Sequence, residues 1–128
     1  MRLPHFFTLV VAALVLGTGP LVAQQATTVE GTLVDGKCYL MNHANTGNDH
    51  GPMKACGTTC LKGGSPAAVV TKDGRFHPIM AAAGAFADIV GQTVRVTGPV
   101  EDGSVLAKKV EVNKGGRWQE VKLTGMQG

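Results

Sequence analysis

Three cysteines and two histidines fall in one short stretch of the chain: Cys38, His43, His50, Cys56 and Cys60. Met41, Asp49 and Met53 lie among them. An odd number of cysteines cannot all pair within one chain, so at least one thiol has another use. Cys56 and Cys60 stand four residues apart, and on a helix that spacing separates their Cβ atoms by about 5–6 Å. A disulfide asks for Cβ atoms about 3.5–4.5 Å apart, so a helical Cys56–Cys60 bridge would be strained. Two thiolates each about 2.3 Å from one tetrahedral ion need only converge. Cys38 and one loop histidine would complete a Cys3His set. His50 is the expected nitrogen ligand, because it precedes Cys56 by six residues; His43 is the substitute. Three thiolates with methionines nearby suit a soft or borderline ion, and zinc or copper(I) is the expected cofactor.

Two other uses of these cysteines stay open at this level. One is a disulfide from Cys38 to Cys56 or Cys60, the ordinary use of cysteine in a small exported domain. The chain would then be a stapled barrel binding a ligand or partner protein. The other is a thiol–disulfide redox protein in which Cys56 and Cys60 cycle, although the spacing is not C-x-x-C. No C-x-x-C-H sequence supports covalent haem. Asp35 and Asp49 could pair as acid and base, but nothing in the sequence fixes their geometry. Ser65 and Ser104 are the two serines, both beside turn residues, with no triad partner suggested. The glycines read as turn residues and not as a phosphate cradle. His77 and Met80 read as structural residues, Met80 as core filling. The expectation is a binding module and not an enzyme.

The elements that must position these residues are mainly strands. Residues 28–35 are β-branched and partly alternating, which predicts a first strand. Asp35-Gly36 signals a turn, with residues 38–41 continuing the strand after it. Residues 42–55 are loop-forming by composition, and so long a loop in so small a domain is a functional signal. Residues 54–62 predict a short helix ended by Gly63-Gly64. A hairpin follows, 67–71 and 76–80 around Lys72-Asp73-Gly74-Arg75. Residues 81–89 predict a short helical segment. Clean alternation then marks strands at 93–100 and 105–112, and a last one at 118–123. This profile predicts a mainly β fold, a small antiparallel OB-like barrel with one or two short helices.

The full pattern runs Gly31-x-x-x-Asp35-x-x-Cys38, a His-bearing loop, Cys56-x-x-x-Cys60-x-x-Gly63-x-x-Pro66, then Val70-Thr71-x-Asp73-Gly74 and Gly91-x-x-Val94-x-Val96-x-Gly98-x-Val100. It resembles a group of small exported bacterial OB-like β-barrel proteins with a D-x-x-C…H…C-x-x-x-C-x-x-G-x-P signature. The likeness covers about Val29 to Val112. Gly57 stands where the group tends to have alanine, and the interval from His50 to Cys56 is longer than in the group. The resemblance implies a fold and not an activity.

The N-terminus predicts export. Arg2 is the only charge before Glu30, and an apolar run from Phe6 to Leu16 is followed by Gly17, Gly19, Pro20 and the small-residue site Leu21-Val22-Ala23. These are the parts of a cleaved secretory signal over residues 1–23. The run of about 11 residues falls short of the roughly 20 needed to span a bilayer. Residues 24–128 are then a single periplasmic or secreted domain with no membrane anchor. Its charge of about +2 and its few aromatic residues exclude the basic groove and stacking platforms of a nucleic-acid binder. A metal ion is the expected partner, a second protein a further one, and oligomeric state is not encoded in any motif.

Overall fold

The computed structural model describes residues 25–124. The signal expected over residues 1–23 and the frayed end expected at 125–128 lie outside the described residues. Eight strands form one mixed sheet: β1 (Thr27–Asp35), β2 (Ala67–Val70), β3 (Phe76–Met80), β4 (Thr93–Gly98), β5 (Val100–Glu101), β6 (Ser104–Leu106), β7 (Lys109–Lys114) and β8 (Arg117–Glu120). Their spatial order is β5-β6-β3-β2-β1-β4-β7-β8. Two short α-helices, α1 (Gly36–Met41) and α2 (Cys56–Lys62), and a 3-10 helix at Ala83–Ile89 complete the described elements.

The mainly β expectation holds; the closed antiparallel barrel does not. The sheet ends in β5 on one side and β8 on the other. One of its pairs, β3 with β6, is parallel, with Ile79 opposite Val105. The sequence pattern reads residues 93–100 and 105–112 as one long hairpin. Their inner halves do pair, with Val94 opposite Val112 and Thr97 opposite Lys109. Their outer halves break away as the β5–β6 hairpin. Pro99 has no N–H to continue the ladder. Gly98 admits the carbonyl of Leu106 so closely that a Cβ there would sit 1.8 Å from its oxygen. The chain therefore kinks and sends β6 across to β3.

Alternation places the core. Val94 and Val96 of β4, Val110 and Val112 of β7, and Val29 and Leu33 of β1 enter one apolar cluster with Phe86, Leu61 and Val105. The opposite face of the β1–β2 pair is covered separately, by Tyr39 over Val34 and Ala68, with Phe76 against them. Met80 was expected in the core and is 55% exposed, while its neighbour Ile79 is buried. Successive strand side chains point to opposite faces. Leu33 and Asp35 thus share the inner face of β1, and the last inward position of the strand is a carboxylate.

Residues 38–41 do not continue β1. Asp35 ends the strand with extended backbone and caps α1, accepting from the amides of Lys37 and Cys38. An aspartate N-cap satisfies two of the helix's otherwise orphaned N–H groups, which favours a helix over a bulged strand. No described helix is long and apolar enough to cross a membrane.

Candidate metal centre

Cys38 sits in the first turn of α1, directly under the Asp35 cap. Cys56 opens α2 and Cys60 lies one turn on. The loop between the helices is tied to both. Asn45 Nδ2 donates to the carbonyl of Cys38 at 3.0 Å. Asn48 accepts from the amide of Gly57 with its carbonyl at 2.9 Å and from the amide of Thr58 with its side chain at 2.8 Å. Asn48 thereby caps a helix whose formal N-cap, Ala55, has no capping side chain and a left-handed backbone. The close fit needs Gly57, since a Cβ there would lie 2.8 Å from a Val90 methyl. Asp49 takes the amide of Ala55 at 2.8 Å and pairs with exposed Lys54 at 3.1 Å, so it is a loop brace with no tie to Asp35.

His50 is brought to the cysteines by a tight turn. Its N–H and carbonyl exchange hydrogen bonds with Met53 at 3.0 and 3.1 Å across Gly51-Pro52. The ring is buried, 5% exposed. Nε2 lies 3.1 Å from the carbonyl oxygen of Gly47, which can only accept, so the proton belongs on Nε2. Nδ1 is then a bare lone pair, and it is buried with no hydrogen-bond partner. A ring nitrogen of His50 and the sulfurs of Cys38 and Cys56 lie within 4.8 Å of one another. A histidine that donates one ring N–H to a backbone carbonyl and directs the other nitrogen at thiols has the arrangement of a metal ligand with its tautomer fixed.

The sulfurs of Cys56 and Cys60 are 3.9 Å apart. A disulfide would need about 2.05 Å. Two thiolates bound tetrahedrally at 2.3 Å lie about 3.8 Å apart, close to what is found. All three cysteines are free thiols and half-buried. Cys38 and Cys60 also lie within 4.8 Å of a carboxylate oxygen of Asp35, so the three sulfurs are pairwise within that distance.

Asp35 is the residue that sequence reasoning undervalued. It is fully buried. Its Oδ1 accepts from Ser65 Oγ at 2.6 Å and from the amides of Lys37 at 3.1 Å and Cys38 at 3.4 Å. Its Oδ2 is buried with no partner. The signal available was the Asp-x-x-Cys spacing, which places the third residue after an N-cap beside the capping carboxylate.

His43, the substitute ligand, is not in either group of donors. It is exposed and stacks on Tyr39 with ring centroids 4.7 Å apart. Met41 and Met53 are 76% and 57% exposed, on the surface and not in the core. His77 bonds the carbonyl of Gly103 through Nδ1 at 2.8 Å, a structural use.

No protein-family model, curated protein or solved structure matches the chain. The chemistry is therefore read from the donors themselves.

Burial raises the pKa of Cys60 and the Asp35 carboxylate and Cys56 raise it further, to about 12. Burial and Asp35 also push Cys38 above its ordinary value. Burial works against the charged form of Asp35, but the hydrogen bonds of Ser65 and the neighbouring thiols outweigh it and hold the carboxyl below its usual range. Without metal, the site is thus an ionised carboxylate among protonated thiols. Thiols whose folded pKa is raised stabilise the fold fully below the unfolded value of 9.0 and lose that contribution as pH rises toward the folded value of about 12. The metal-free protein is expected to lose thermal stability from pH 9 upward, and Cys60→Ala to lose less across the same range. Parallel melting-temperature profiles for the two proteins above pH 9 would contradict this.

Proposed function

We propose that the protein is an exported module that holds a transition-metal ion through Cys38, Cys56, Cys60 and His50. The observation that carries this reading is the buried, unpartnered Nδ1 of His50 beside the thiols. An unsatisfied polar atom in a protein interior costs about 1–3 kcal/mol, and a bound ion removes that cost. The donor set of thiolates and one imidazole favours zinc or copper(I) over hard cations. Its role is carriage or structural stabilisation and not catalysis, on an OB-like domain of residues 24–128. Export to the periplasm or beyond is supported by the charged, apolar and small-residue parts of residues 1–23. It sets three thiols in an oxidising compartment, where a bound ion protects them.

The test is elemental analysis after purification without chelators, together with thiol counting under denaturation. At least about one equivalent of zinc or copper per chain is expected, with three thiols recovered, because thiolate sites bind such ions tightly. Less than about a tenth of an equivalent, with two thiols lost to a disulfide, would overturn the reading in favour of a stapled domain.

A further inference from the structure

Five donors meet in this cluster, and a closed tetrahedral ion uses four. The fifth, Asp35, is buried as deeply as His50, and each carries one polar atom without a partner: Oδ2 of Asp35 and Nδ1 of His50. The donors fall into two triads. One is Cys38, His50 and Cys56; the other is Asp35, Cys38 and Cys60. Cys38 is the one residue the two triads share.

We infer that the cluster holds two divalent ions side by side, bridged by the Cys38 thiolate, with His50 and Cys56 completing one site and Asp35 and Cys60 the other. This rests on the metal-binding reading above. Charge favours it. Three thiolates and one carboxylate carry four negative charges, and His50 adds none. A single divalent ion would leave two uncompensated negative charges in a half-buried site, which is strongly unfavourable. No lysine or arginine pairs with Asp35 among the described residues; Lys54 and Lys62 pair with exposed Asp49 and Asp88. Two divalent ions balance the set. Ions sharing one bridging atom sit about 3.5–4 Å apart, which suits triads whose donors span no more than 4.8 Å. Each ion would have three protein donors and an open fourth position.

The reduced, metal-free full-length protein is titrated with Zn2+, and separately with Co2+, and the bound ions are counted by native mass spectrometry. Two ions per chain are expected. Asp35→Asn keeps a side chain that caps helices as well as aspartate does. It is expected to bind one ion with an unchanged far-ultraviolet spectrum. Should Asp35→Asn fail to fold, the Co2+-loaded wild type decides: two thiolate-bridged Co2+ ions couple antiferromagnetically, and their magnetic moment per ion falls below that of isolated high-spin Co2+. One ion per chain, with the full moment of isolated Co2+, overturns this inference and leaves the single-ion reading standing. No bound Zn2+ or Co2+ overturns both.

Discussion

Replacing Cys38 with serine is expected to weaken zinc binding more than any other single change at the centre. Cys38 belongs to both donor triads, whereas Cys56, Cys60, His50 and Asp35 each belong to one. Structural zinc sites bind with about 10–16 kcal/mol shared among four ligands, so one thiolate is worth on the order of 3 kcal/mol. That corresponds to a loss of about a hundredfold in affinity, at 1.4 kcal/mol per factor of ten. Serine keeps nearly the same volume in a half-buried position, so the fold should persist while the soft donor is lost. Competition against a chromophoric chelator measures the effect. The matched control is His43→Ala, which removes an exposed ring stacked on Tyr39 and should leave the zinc affinity unchanged. A Cys38→Ser affinity within threefold of wild type would mean that the thiols are not ligands. An equal loss in His43→Ala would mean that the loop, and not the donor set, is what the ion requires.

The residues that make this centre were legible in sequence to different degrees, for physical reasons. The i, i+4 spacing of Cys56 and Cys60 is a local signal, because a single helical turn sets their separation, and the sulfurs stand 3.9 Å apart on α2 as that spacing implies. Period-two alternation gave β1, β4 and β7 for the same reason: side-chain direction in a strand depends on the nearest residues. The choice between His50 and His43 was less local. It depends on the Gly51-Pro52 turn and the Gly47 carbonyl, which bury one ring, and on Tyr39, which holds the other at the surface. Asp35 was readable as a turn residue, and in fact ends a strand, caps a helix and faces two thiols. A single short polar side chain can do all three, and only the packing of α2 against β1 reveals it. Sheet closure was the least legible feature. Whether β6 completes a barrel or runs parallel to β3 is decided by the kink at Gly98-Pro99 and by contacts distant in sequence, neither of which alternation encodes.

The same packing separates stability from ligation, and Phe86→Ala tests that separation. Phe86 lies in the 3-10 helix at Ala83–Ile89, fully buried, in the core cluster with Leu61 of α2 and Leu33 of β1. The 3-10 helix also accepts a hydrogen bond from Thr58 of α2 through the carbonyl of Ala87 at 2.7 Å. Truncating a buried phenylalanine to alanine costs about 3–5 kcal/mol, because the cavity does not collapse. For a domain of this size that lowers the melting temperature by on the order of 15–30 °C. Phe86 supplies no donor, so added zinc should raise the melting temperature of the variant as much as that of wild type. A ligand at a thousandfold excess over its Kd contributes about 4 kcal/mol whatever the core contains. Cys38→Ser should show the reverse: a small loss without metal and little rescue with it. Scanning calorimetry of the three proteins, each with and without zinc, reads both quantities. If Phe86→Ala loses the zinc increment as well, α2 does not hold its cysteines independently of the core, and the centre is assembled only by the complete fold.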